Sequence, residues 1–177
     1  MTCIAGLIDK GKVYMGGDSA GLSGLNLTIR ADSKVFKNDS FIFGFTSSFR
    51  MGQILRYKFK PPYHKPEIKT EEYINTDFID AVRQCLKENG YSKVENNEEI
   101  GGTFLVGYRG KLYRVDSDYQ VGVSLDNFAA CGSGEAYALA TLYNTAHLEP
   151  KERILRALKT AEYFSAGVRG PFIILSE

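Results

Sequence analysis

The sequence predicts an α+β chain of four layers, an αββα sandwich in which two sheets lie between layers of helices. Three observations lead there. Short β-branched and apolar runs separated by turn residues fill the chain as far as Phe45. A helical period then takes over between Met51 and Leu86. The same succession of strands followed by helices returns in the second half and closes on a strand at Phe172–Leu175. That order, strands, two helices, strands, two helices and a strand, suits two sheets sandwiched between helix layers.

Each element has its own reason. Thr2–Ile8 is apolar on both parities, as a strand covered on both faces must be. Asp9-Lys10-Gly11-Lys12 turns the chain into a return strand over Val13–Gly17. Glycine and serine between Asp18 and Asn26 predict a loop. Short strands are expected at Leu27–Arg30, Lys34–Phe36 and Phe41–Phe45, the last two joined by an Asn38-Asp39 turn. Met51, Ile54, Leu55 and Phe59 recur at helical spacing until Pro61-Pro62 ends the helix. After a polar, proline-containing loop, Phe78, Ile79, Val82, Cys85 and Leu86 mark a second helix that Gly90 terminates. Asn96-Asn97-Glu98-Glu99 reads as a solvated loop. Thr103–Tyr108 and Lys111–Val115 flank Arg109-Gly110 as a hairpin, with strands at Tyr119–Val123 and Phe128–Cys131 after it. Gly132-Ser133-Gly134 leads into a helix on Ala136, Leu139, Ala140 and Tyr143. Pro150 suits a first helical position, and Ile154, Leu155, Leu158 and Ala161 supply the face of the last helix. With no repeat, linker or low-complexity segment, residues 1–177 are expected to form one domain.

Composition removes chemistries. Hydrophobic residues at 44% and charged residues at 24% are ordinary for a globular chain. A chain of 177 residues needs no metal or disulfide staple, since at this length roughly 70% of the unfolded surface is buried on folding. The formal charge of +1, from 22 basic and 21 acidic residues, argues against nucleic acid or an anionic membrane as the main partner. No apolar run approaches the ~20 residues of a membrane span, and the basic and apolar regions of a leader are missing. Cys3, Cys85 and Cys131 are an odd number without metal-like spacing, which fits reduced thiols and a cytoplasmic location. His64 and His147 leave little for a histidine metal site or a Ser-His-Asp triad.

Thr2 is the most informative position. A small second residue lets the initiator methionine be removed, and a chain that starts at Thr2 carries a nucleophile and a base on one residue. The hydroxyl attacks while the α-amine takes its proton, a task suited to an amine titrating near about 8 rather than a lysine near about 10.4. Alone, Thr2 is only a common second residue, Asp18 a turn carboxylate and Lys34 a solvated lysine. Spacing joins them. A hairpin returns the end of its second strand, Asp18, to the start of its first, Thr2. A lysine kept ionised there by Asp18 would stabilise the threonine alkoxide.

Thr2-Cys3-Ile4, Gly11, Gly16-Gly17-Asp18 and Lys34-Val35 together resemble the N-terminal pattern of proteasome β-subunits and of the bacterial HslV peptidase, which are N-terminal-nucleophile hydrolases. Gly132-Ser133-Gly134 with Tyr137-Ala138, and Phe104–Val106 with Gly107 and Gly110, extend the resemblance over most of the chain. The length suits the shorter, HslV-type members, which carry no propeptide beyond methionine. The resemblance implies Thr2 as nucleophile with its amine as base, Asp18 and Lys34 as the activating charge pair, and Ser133 as a hydroxyl beside the terminal amine. It places the oxyanion-hole N–H at Ser47, within Thr46-Ser47-Ser48.

Two positions depart from the pattern. Ser47 stands where the family has glycine, so its side chain is expected to crowd the site. The family's late aspartate is missing near Ser165, where Glu162 is the nearest acid. Cys3 is a rival nucleophile in name only, since strand alternation sends it to the face opposite Thr2. The glycine pairs lack the lysine and the spacing of phosphate loops. Lys58, Lys60 and Lys65, around Pro61-Pro62-Tyr63, read as a solvated loop with partner docking as the other option.

The expected activity is that of a threonine-type endopeptidase with no metal or organic cofactor. By resemblance, its partners would be polypeptide substrates, further copies in a ring or stacked rings meeting through the Met51–Phe59 helix, and a separate ATPase unfoldase. A small-molecule amidase of the same fold and a catalytically silent assembly subunit are the alternatives.

Overall fold

The computed structural model describes all 177 residues. Strands β1 (Ile4–Asp9) and β2 (Lys12–Gly17) form a hairpin in which Ile4 faces Gly17. Strand β12 (Phe128–Cys131) borders β1, and β13 (Ile173–Ser176) borders β2, so the first sheet is four-stranded and antiparallel. The second sheet runs β11 (Val121–Gly122), β10 (Lys111–Val115), β9 (Phe104–Tyr108), β6 (Phe41–Phe45) and β5 (Val35–Asn38).

Side-chain alternation sorts these strands into layers. Ile4, Val13 and Met15 of the first sheet meet Val35, Ile42, Leu105 and Leu112 of the second in a core between the sheets. Cys3, Ala5 and Leu7 point the other way, against α4 (Glu135–Asn144) and α5 (Pro150–Phe164) through Ala138, Leu142, Ile154, Ala157 and Leu158. On the second sheet Phe41, Phe43, Phe45 and Phe104 pack on α1 (Phe49–Tyr57) and α3 (Ile79–Glu88) through Met51, Ile54, Leu55, Val82 and Leu86. The result is helices, sheet, sheet, helices: the four-layer αββα sandwich expected from the order of elements. No helix is long and apolar enough to cross a membrane.

Five local expectations are corrected. The segment read as a loop after Asp18 is half of a hairpin, β3 (Ala20–Ser23) with β4 (Asn26–Ile29). Residues 93–100 form another, β7 (Lys93–Glu95) with β8 (Glu98–Ile100), turned by Asn96 and Asn97 at φ 52° and 66°. Neither β3 nor the β7–β8 hairpin buries a full face, so neither carries the alternation that marks a strand, while β4 lies within one residue of the strand expected at Leu27–Arg30. The strand expected over Tyr119–Val123 shrinks to β11, because Tyr119 sits at φ 67° in a turn closed by its N–H on the Asp116 carbonyl. The helix after Gly134 buries Ala138 and Leu142, while Ala136, Ala140 and Tyr143 face solvent. An alanine-rich helix offers apolar positions on several sides, and only its neighbours choose among them. The second helix also starts earlier, as α2 (Thr70–Tyr73) running through a π-helical turn, Ile74–Phe78, into α3.

Candidate active site

Thr2 lies just ahead of β1 and is only 4% exposed. Its carbonyl accepts hydrogen bonds from the Gly134 N–H at 3.1 Å and the Ser133 hydroxyl at 3.3 Å. Its own N–H donates to Ser133 Oγ at 3.2 Å. This seat depends on Gly132, at φ 99°, where a Cβ would stand 2.3 Å from the Thr2 carbonyl oxygen. A side chain there meets both a left-handed backbone and another backbone atom, so only glycine suits. The Thr2 hydroxyl donates to the Met1 carbonyl at 2.5 Å. With residue 1 attached, the Thr2 nitrogen is a peptide nitrogen and carries no basic lone pair.

Asp18 follows β2 and is buried beside the start of β1. Its Oδ1 accepts from the Cys3 N–H at 3.0 Å and from Lys34 Nζ at 2.8 Å. Its Oδ2 accepts from the Ala20 N–H at 2.9 Å and the Arg169 N–H at 3.3 Å. Four donors around one carboxylate make this the anchor that ties the first hairpin, the β3 entry and the chain before β13 together. Lys34 precedes β5, and its side chain is 1% exposed. Burial holds its ammonium below the ordinary lysine range, with the Asp18 charge opposing that pull. Nζ also lies 5.6 Å from the centre of the Phe49 ring, which the Arg30 guanidinium covers at 3.7 Å.

The fold therefore brings Thr2, Asp18, Lys34 and Ser133 to one end of the sandwich, by chain ends and strand ends far apart in sequence. Ser47 sits in the turn between β6 and α1, exposed, at φ 64°. Its N–H has no acceptor within the chain. The Ser47 side chain turns to Thr103, whose N–H donates to its Oγ at 3.0 Å. In place of a late aspartate, the Ser165 hydroxyl donates to Ser133 Oγ at 3.3 Å. Glu162 is committed elsewhere, accepting the Gly170 N–H at 2.9 Å. A serine at a helix end carries no signal of such a contact, so composition and spacing did not point to it.

Cys3 lies in the helix-facing layer, and burial, reinforced by the Asp18 charge, pushes its thiol up to about 12. The Cys131 thiol is likewise raised by burial. Thiols held protonated are poor nucleophiles. No cluster of three or more His, Cys, Asp or Glu side chains is placed to hold a metal ion.

No family model matches the sequence, and no curated protein does. Solved structures do match. BPH from Thiobacillus denitrificans, free and in complex with epoxomicin, aligns at a TM-score of 0.81 and 18% identity. The alignment covers 99% of this chain and 97% of the free protein or 98% of the complexed one. Eukaryotic HslV from Trypanosoma brucei aligns at a TM-score of 0.71 and 18% identity, over 99% of this chain and 98% of that one. At such identity the likeness is one of fold, and that fold is the N-terminal-nucleophile hydrolase fold of HslV, the one that the Thr2, Asp18 and Lys34 spacing resembles.

Proposed function

We propose that this chain is a threonine-type endopeptidase whose nucleophile is Thr2, exposed as the N-terminal residue by removal of Met1. The observation that carries the reading is the convergence of the Thr2 backbone nitrogen on Ser133 Oγ with the buried Lys34–Asp18 pair on the neighbouring strand end. Once Met1 is gone, that nitrogen is a primary amine held 3.2 Å from a hydroxyl. Thr2 Oγ1 attacks the carbonyl carbon of a substrate peptide and its proton passes to the amine. The carbonyl oxygen becomes an oxyanion that the Ser47 N–H receives. The proton then goes to the departing amine of the product as the C–N bond breaks, leaving an ester on Thr2. Water, deprotonated by the same amine, cleaves the ester and restores the hydroxyl. Lys34 supplies a fixed positive charge through both steps without itself exchanging a proton.

BPH of Thiobacillus denitrificans holds epoxomicin. The corresponding test here is titration calorimetry of the Met1-free chain with epoxomicin. Binding at one site per chain is expected, together with its loss in a chain that retains Met1. Equal binding by both forms would overturn the role of the free amine.

Assembly belongs to the same reading. The outer faces of α4 and α5 leave Tyr143, Tyr163 and Phe164 exposed, and Tyr57 and Tyr63 stand out at the end of α1 and in the loop after it. Such aromatic surface is more than an isolated chain needs and suits contacts between copies. Light scattering at micromolar concentration is expected to report a species several times 19.7 kDa. A fully active monomer would favour a small-amide substrate over an enclosed polypeptide.

A further inference from the structure

Resting on the reading of the Ser47 N–H as oxyanion donor, we infer that the Ser47 hydroxyl is a positioning group that latches the peptide carrying that N–H. The argument begins in the β6–β9 ladder, where Phe45 pairs with Phe104 and the register leads on to Thr46 beside Thr103. The Thr46 N–H does continue the ladder, donating to the Thr103 carbonyl at 3.1 Å. A regular antiparallel pair would return the bond from the Thr103 N–H to the Thr46 carbonyl. Here it does not. The Thr46 carbonyl accepts the Ser48 N–H at 2.7 Å instead, and the Thr103 N–H goes to Ser47 Oγ at 3.0 Å.

The side-chain oxygen has taken the place of the backbone carbonyl. A peptide plane turns as a unit, so the direction of the Thr46 carbonyl sets the direction of the Ser47 N–H on the same plane. In the observed orientation that N–H has no acceptor in the chain and is free to receive a developing oxyanion. Without the hydroxyl, the unsatisfied Thr103 N–H would draw the Thr46 carbonyl back into the ladder and turn the Ser47 N–H with it. The surroundings fit this latch. A Cβ on Gly102 would come within 3.0 Å of Ser47 Cβ and 2.6 Å of Met51 Sδ, so glycine there keeps the seat of the Ser47 side chain open. The left-handed φ of 64° disfavours any L side chain, by roughly 1 kcal/mol or more. A residue that sits against that preference while its side chain satisfies a backbone donor has a reason to be serine.

The test uses Ser47→Gly, which suits the backbone and removes only the acceptor, beside Ser47→Asn, which tolerates positive φ and offers a carbonyl oxygen. For Ser47→Gly, kcat is expected to fall at least about tenfold with KM unchanged, short of the ~10²–10³ loss that follows outright removal of an oxyanion donor. The Ser48 amide, which loses its Thr46 carbonyl acceptor when that carbonyl returns to the ladder, should exchange faster in the same variant, and Ser47→Asn should recover most of both. Wild-type kcat in Ser47→Gly, or wild-type exchange at Ser48, would overturn the latch. Exchange needs no substrate, so it decides the latch even if a wild-type chain that cleaves no peptide refutes the peptidase reading.

Discussion

A Thr2→Ala chain with a verified free N-terminus is expected to lose peptide hydrolysis by about 10⁴–10⁶-fold, the scale on which nucleophiles are lost from acyl-transfer sites. The fold should survive the change. The Thr2 backbone keeps its bonds to Ser133 and Gly134, and the hydroxyl's single partner is the carbonyl of Met1, which a Met1-free chain lacks. Thr2→Ser retains both hydroxyl and amine and should keep most of the activity, whereas retention of Met1 should silence even the wild-type residue. Turnover assays on folded variants, with intact mass to read the N-terminus, check all three. Full hydrolysis by Thr2→Ala would remove the mechanism altogether.

Lys34→Ala is expected to reduce kcat by on the order of 10²–10³, the effect of removing one preorganised electrostatic group. It also leaves Asp18 buried with three backbone N–H donors and no counter-charge, a change that costs about 3–5 kcal/mol when a buried pair is broken. Turnover therefore has to be referred to the folded fraction, read by circular dichroism. Lys34→Arg should keep the fold better but not restore the rate, because the planar guanidinium is larger and carries its charge differently.

The pH profile offers a second readout of the same residue. Burial holds the Lys34 ammonium below its ordinary 10.5. If that charge drives the reaction, kcat falls as pH rises through the depressed value, and the alkaline limb disappears in Lys34→Ala. The stability consequence has the opposite sense. Between the depressed folded value and the ordinary unfolded one, the unfolded chain binds more protons, so stability rises with pH across that interval. Wild-type turnover in both Lys34 variants would make Lys34 a structural residue and displace the proposed site.

Legibility in the sequence followed burial. β1, β2, β6, β9 and β10 are covered on both faces, so their apolar runs stood out, and the four-layer order followed from the succession of elements. β3 and the β7–β8 hairpin lie on the surface and left no pattern to read, whereas β4 falls within one residue of the strand expected at Leu27–Arg30. The face of α4 was invisible for a different reason, since Ala136, Ala138 and Ala140 are equally apolar and only packing against α5 and β12 distinguishes them.

The sequence by itself determined the fold class and the spacing of Thr2, Asp18 and Lys34, because a tight hairpin leaves one place for the end of its second strand. Ser133 entered by resemblance, and the structure shows why glycines flank it. The Thr2 carbonyl occupies the space a Cβ on Gly132 would need, and the Cys3 side chain the space of one on Gly134. Only the tertiary structure decided where the remaining hydrogen bonds go. Ser165 donating to Ser133, Arg169 donating its N–H to Asp18, and Ser47 turning to Thr103 each join segments far apart in the chain. A short hydroxyl or a main-chain N–H can bond in many directions with little preference of its own. Its partner is set by which segments the packed sheets and helices bring within 3 Å or so, and that is a property of the assembled layers.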